Sequence, residues 1–195
     1  LEQNKDRHVK ELCDYLSIPS ISSLSEHDND IIEAARFTHN AFEEIGLESK
    51  VIETDGHPLV YAQSEQLPER KTLLFYGHYD VQPVDPLELW DSPPFEPLIK
   101  DEIIYARGGS DDKGQLYTHI KALEAYVKLG IDLPVNVKFI IEGEEEAGGE
   151  EIYKFTESNS EKLACDAVIV SDTSLYNEET PAICYSLKGL AYMQI

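Results

Sequence analysis

Apolar residues at Val9, Leu12, Cys13 and Leu16 recur at three- and four-residue spacing, which predicts a first helix that Ile18-Pro19-Ser20 stops. The same spacing over Asp30 to Ile45 predicts a second helix, with Ile31, Ala34, Ala35, Thr38, Ala41, Phe42 and Ile45 as its stripe and Gly46 just past its end. Short β-like runs follow at Lys50–Glu53 and Leu59–Gln63, then a stronger strand at Thr72–Tyr76. Ile103–Ala106 reads as a further strand. A third helix is expected from Asp112 to Leu129, with Leu116, Ile120, Leu123 and Val127 on one face and Gly130 closing it. Val135–Glu142 and Ala167–Ser171 read as apolar strands with a short helix, Glu150–Glu157, between them, and Pro181–Leu187 as the start of a last strand running on past Gly189. Helices alternating with buried apolar strands predict an α/β fold, a mostly parallel mixed sheet flanked by helices.

One stretch breaks this rhythm. Pro83 to Pro97 holds five prolines and the only tryptophan, Trp90, and reads as a long irregular loop. Composition adds a second departure from the ordinary. Hydrophobic content of 42% and charged content of 28% suit a globular protein, but the formal net charge is -22. Such acidity argues against nucleic acid and anionic membrane as partners, since both require basic patches. The sequence shows no apolar run of membrane-spanning length and no basic segment leading into an apolar one. Cys13, Cys165 and Cys184 are odd in number and scattered, which gives no disulfide framework and points to a reducing cytoplasm. With 195 residues beginning at Leu1, one domain is expected, and the chain reads as a fragment or a processed form.

The chemistry sits where the strands end. Leu73-Leu74-Phe75-Tyr76-Gly77 runs straight into His78-Tyr79-Asp80, and the two-residue period of a strand puts His78 and Asp80 on one face. An imidazole beside a carboxylate suggests a metal ligand and the group that orients it. Asp111 follows a Gly-Gly-Ser turn, Glu144-Glu145-Glu146 follow the strand ending at Ile141, and Asp172 follows Val168-Ile169-Val170-Ser171. The steps are 111 − 80 = 31, 145 − 111 = 34 and 172 − 146 = 26, near the ~30 residues of a βαβ unit, so all four sites are expected at the carboxyl ends of one sheet. Carboxylates so crowded cannot all ionise cheaply without a cation, and a shell of His plus carboxylates suits Zn²⁺ or Mn²⁺ better than Ca²⁺. Each group has a plainer role open to it: His78 as a core histidine, Asp111 as a helix cap, the Glu run as a solvated turn, Asp172 as a turn residue.

The ordered motifs Gly77-His78-Tyr79-Asp80-Val81-Gln82-Pro83, Arg107-Gly108-Gly109-Ser110-Asp111-Asp112-Lys113-Gly114, Glu142-Gly143-Glu144-Glu145-Glu146-Ala147-Gly148 and Ser171-Asp172 span most of the chain. Together with Ile18-Pro19-Ser20, Trp90 and Pro94-Phe95, they resemble the co-catalytic zinc metallopeptidases, which include carnosinase and cytosolic dipeptidases, aminoacylase, acetylornithine deacetylase and succinyl-diaminopimelate desuccinylase. The dipeptidase branch is the nearest match. The resemblance implies a metallopeptidase catalytic domain, here incomplete, that hydrolyses an amide bond in dipeptides or short peptides with two divalent ions, Zn²⁺ first and Mn²⁺ or Co²⁺ as alternatives. It implies that His78, Asp111, Glu146 and Asp172 bind metal, with Asp111 bridging. Asp80 orients His78, Glu145 is the general base, and the Asp111–Asp112 peptide is cis.

It also implies what is missing. Relatives of this kind carry a late metal-binding His and an inserted lid or dimerisation domain. Residues 1–186 then form the N-terminal part of the catalytic domain, and residues 187–195 begin the lid, since Tyr185-Ser186-Leu187-Lys188-Gly189-Leu190 resembles its start. The full-length protein is expected to be a homodimer, and the fragment by itself inactive. Ala106 stands where Gly is common, and Asp101-Glu102 where a turn Gly is usual. An N-acyl-amino-acid deacylase or desuccinylase on the same site, and a non-catalytic metal-binding or dimerising homologue, are the alternative functions.

Overall fold

The computed structural model describes residues 2–177, 179–186, 188, 189, 191 and 193. The first two helices, α1 (Lys5–Leu16) and α2 (Asp28–Glu44), lie where the apolar spacing puts them. Every stripe residue of α2, from Ile31 to Phe42, is buried, with Ile45 beyond it. Strands β1 (Glu48–Ile52), β2 (Leu59–Gln63) and β3 (Thr72–His78) follow, then a small ribbon of β4 (Leu98–Lys100) and β5 (Ile103–Tyr105). The order then runs α3 (Lys113–Leu129), β6 (Asn136–Glu142), α4 (Glu151–Ser158) and β7 (Ala167–Val170). Among the described residues no helix is long and apolar enough to cross a membrane.

The main sheet has the order β1-β2-β6-β3-β7. β1, β2 and β6 pair antiparallel, whereas β6, β3 and β7 run parallel. The mostly parallel mixed sheet predicted from the alternation of elements is therefore present. Strand alternation assigns its two faces. Val60, Ala62, Val137, Phe139 and Ile141 join α1, α2 and α3 in one core, while Leu59, Tyr61, Leu74 and Ile140 pack with Ile152 and Phe155 of α4 in the other. The chain moves from β3 to β6 across the first face and from β6 back past β3 to β7 across the second, which gives both crossovers one hand. The crevice this creates lies at the carboxyl end of β3.

Four expectations need correction. The strand at Ile103–Ala106 does not join the main sheet, because β5 pairs only with β4. Its hairpin turns through Asp101 (φ 52°) and Glu102 (φ 64°), the left-handed pair that a two-residue turn of this twist demands even without glycine. β7 is not a buried strand: it is the sheet edge, with Val168 55% and Val170 52% exposed, so apolar sequence overstated its burial. Val127 is exposed likewise, at the last turn of α3 beyond the reach of the sheet. Residues 181–186 form no strand, and the continuation assigned to them meets Leu187, Leu190, Tyr192, Gln194 and Ile195, which lie outside the described residues.

Candidate metal centre

Register brings the candidate residues together. His78 ends β3 directly beside Glu142, which ends β6, and Tyr76 pairs with Val170, which ends β7. Glu145 and Asp172 therefore lie three and two residues past strand ends that line up. Asp111 arrives differently. It stands in the turn after the β4–β5 ribbon, just before α3, so it is not the strand-end residue that the even spacing suggested. The spacing of 31 residues between Asp80 and Asp111 covers a loop and a hairpin, not a βαβ unit.

His78, Asp111 and Asp172 offer one ligand atom each, all within 4.8 Å of one another. The His78 side chain is fully buried, and its Nε2 lies 3.1 Å from Asp111 Oδ1 and 3.6 Å from Asp172 Oδ2. That nitrogen has no hydrogen-bond partner of acceptable geometry. On the other side of the ring, Nδ1 lies 3.1 Å from the Asp80 main-chain oxygen and 3.3 Å from Asp80 Oδ1. The imidazole is thus steered by Asp80 at Nδ1 and presents Nε2 to two carboxylates, as a nitrogen ligand beside oxygen ligands would be. An orphaned, buried Nε2 facing acids fits a divalent cation of the Zn²⁺ or Mn²⁺ kind.

The helix-cap reading of Asp111 fails. The N-cap position of α3 belongs to Asp112, whose side chain makes no cap; its Oδ2 instead accepts the His78 amide at 3.1 Å. The Asp111–Asp112 peptide is cis, as the resemblance implied. Gly77 is needed here, since a Cβ on it would come within 2.6 Å of that same Asp112 oxygen.

The three glutamates separate by their partners. Glu144 is a structural peg: its Oε1 accepts the His57 amide at 2.7 Å, and its side chain fills space that a Cβ on Gly56 or Gly149 would occupy. Glu146 is held by Gln82, whose Nε2 donates to its Oε2 at 2.5 Å, and it stands outside the compact His78–Asp111–Asp172 group. Glu145 is exposed, yet desolvation together with the negative charges of Asp172, Asp80 and Asp111 pushes its carboxyl up, against the pull of His78. Burial does the same to Glu146, and it lifts Asp112 and Glu142 to about 7. For His78, burial opposes the charge, but Asp80, Asp112 and Glu145 prevail and raise it to about 10. The centre is thus short of basic partners: among the described residues His78 is the one basic side chain within ion-pair distance of Asp111 and Asp172. Gln82 and Ser22, which donate to Glu146 and Asp80, were not singled out by sequence; a polar residue beside a ligand motif was the available signal for Gln82, and Ser22 left none. An open cleft of about 770 Å³ adjoins the group, lined by Asp111, Gln115, His119, Ser171, Asp172 and Asn177 among others.

Known proteins share this chain's sequence pattern and fold. The sequence pattern of peptidase family M20/M25/M40 matches residues 74–185. The Cys-Gly metallodipeptidase of Schizosaccharomyces pombe is 34% identical over 208 residues, covering 100% of this chain and 44% of that protein. Human carnosine dipeptidase 1 superposes with a TM-score of 0.84 at 28% identity, over 90% of this chain and 40% of its own. An M20 family metallo-carboxypeptidase from Sulfolobus solfataricus gives a TM-score of 0.79 at 40% identity, over 86% of this chain and 38% of its own. The chain thus spans less than half the length of these relatives.

Proposed function

The chain belongs to peptidase family M20/M25/M40, and from that membership we propose that it supplies most of the catalytic centre of a metal-dependent dipeptidase, a hydrolase of amide bonds in dipeptides or short peptides. The observation that carries the reading is the buried His78 Nε2, without a hydrogen-bond partner and facing Asp111 and Asp172. The names of the relatives, metallodipeptidases among them, support the substrate class.

In this reading His78, Asp111, Glu146 and Asp172 would hold two divalent ions, zinc first and manganese or cobalt as alternatives. When bound, the ions supply Lewis acidity to the scissile carbonyl and lower the pKa of water. Glu145 is the general base. Its carboxyl, raised above the usual carboxylate range, is suited to taking a proton from the attacking water and returning it to the leaving amine. Asp80 holds the His78 ring so that Nε2 stays turned to the acids, and Gln82 orients Glu146. Residues 1–186 act as the catalytic portion and 187–195 as the start of a lid that completes the site in a longer, homodimeric protein. Three free cysteines accord with a cytoplasmic setting.

The test is Glu145→Gln in the full-length protein, assayed on a dipeptide panel with bound metal measured alongside. Turnover is expected to fall by roughly 10²–10⁴-fold with metal content retained. Full activity with metal bound would show that Glu145 is not the base, and activity unaffected by chelation would sink the metal mechanism.

A further inference from the structure

The Asp80 carboxylate is completely buried, and its two oxygens have different surroundings. Oδ1 faces His78 Nδ1 and has no hydrogen bond of good geometry. Oδ2 accepts two: from Ser22 Oγ at 2.6 Å and from the Glu146 amide at 3.0 Å. A carboxylate turns easily about its last torsion, so these two donors fix its plane. Of the two, only the hydroxyl comes from outside the acidic turn that the centre itself uses. It belongs to a segment far away in sequence, just after α1.

We infer that Ser22 is a positioning residue of the metal centre, one that locks Asp80 so that His78 keeps Nε2 turned toward Asp111 and Asp172. The inference rests on the metal reading given above. Ser22 is suited to the task because its own backbone is anchored independently of its hydroxyl. Its carbonyl oxygen lies 3.0 Å from His57 Nε2. The preceding residues are tied to the strand end, with Val81 N donating to Ser20 O at 2.9 Å, Ser20 Oγ donating to Tyr79 O at 2.7 Å, and Ile21 bridging to Val81. Lys113 Nζ fastens the same segment from below, donating to Ile18 O at 2.7 Å and Tyr15 O at 3.2 Å. Deleting the hydroxyl therefore leaves the segment in place and removes one donor from Asp80. The pair is a hydrogen bond between buried groups, where the acceptor's lost partner is not replaced by bulk water.

The experiment measures zinc affinity of the full-length protein by competition with a chromophoric chelator, with a thermal melt of each metal-free variant as the control for folding. Ser22→Ala is expected to fold and to bind zinc about 10–100-fold more weakly, the range typical of groups that orient a ligand, while Ser22→Thr, which keeps the hydroxyl, stays within about threefold of wild type. On an Asp80→Asn background the Ser22→Ala change is expected to add little, because its effect passes through Asp80. Should Ser22→Ala not fold, Ser22→Cys keeps the volume with a poorer donor and is expected to show the same weakening. Wild-type uptake with undiminished affinity in Ser22→Ala, or in Ser22→Cys where that variant stands in, overturns this inference alone, as do losses that multiply in the double variant. A wild type that takes up no zinc overturns the metal reading and this inference with it.

Discussion

Two crowded acidic clusters in this protein meet opposite fates. Between α1 and α3, Glu11 and Glu124 lie among cations: Arg7 pairs with Glu11 at 2.7 Å and with Glu124, and Lys121 Nζ lies 2.7 Å from Glu11 and 2.8 Å from Glu124. Burial alone would raise the Glu11 carboxyl, but hydrogen bonds from Lys121, Tyr117 and Arg7 hold it down at about 2, and Glu124 is lowered in the same way. At the end of β3 the shifts reverse. Burial raises Glu145, Glu146, Asp112 and Glu142, and His78 is the only basic group within ion-pair distance of Asp111 and Asp172 among the described residues. Lys113, inside the Arg107–Gly114 motif, turns its Nζ to main-chain oxygens instead. Acidity is common to both clusters; what distinguishes the centre is acidity with no lysine or arginine paired to it among the described residues. A protein of net charge -22 offers many acidic runs, and only the missing partner separates a cation site from a solved electrostatic problem.

The comparison breaks most visibly if metal is added. Zinc at 100 times its Kd should stabilise the folded protein by ~2.7 kcal/mol, a rise in Tm of roughly 5–11 °C for a chain of this size. The rise should vanish in His78→Ala and on chelation. A Tm indifferent to zinc in the wild type would place the two clusters in one class.

The second cluster can be broken from within. Lys121→Met leaves Glu124, almost wholly buried, with Arg7 and the more distant His8 ring. Stability in urea should drop by about 1–2 kcal/mol, less than for a fully buried pair because Arg7 remains and Glu11 is partly solvated. The zinc-dependent rise in Tm should be unchanged. A drop in zinc affinity in this variant would mean that the clusters are coupled, contrary to their separation in the fold.

Much of the frame around the centre was legible in the sequence, because the apolar period fixed α1, α2, α3 and β3, and the residues after β3, β6 and β7 fell at one end of the sheet. The even spacing misled at Asp111, since equal chain lengths can be filled by a ribbon and a loop as well as by a crossover helix. β7 misled for a related reason: Val168 and Val170 suit a central strand, but composition says nothing of whether a neighbour covers them. The division of labour among Glu144, Glu145 and Glu146 was beyond reach of the residues alone. It depends on His57 and Gln82, which approach from loops 87 and 64 residues away. Nor could sequence assign counter-charges, because Arg7 reaches Glu124 across 117 residues.

The smallest effect tests the sign of the two sets of shifts in one titration of the metal-free protein. Glu11 ordinarily titrates near 4.5 and is held at about 2 in the fold, so the folded state binds fewer protons between these values. Its contribution is present above pH 4.5 and is lost as pH falls toward 2. Allowing for solvent screening of a side chain that is partly exposed, the loss should be about 1 kcal/mol. Glu142 runs the other way: raised from 4.5 to about 7, it makes the folded state bind more protons, and stability should decline as pH rises through that interval. Unfolding free energies from urea melts in chelator, taken from pH 2 to pH 8, should therefore form a dome. Glu11→Gln should flatten its acid limb, and Glu142→Gln its neutral limb. If Glu11→Gln leaves the acid limb as steep as in wild type, the α1–α3 cluster is not the neutralised counterpart described above, and the contrast with the centre loses its reference.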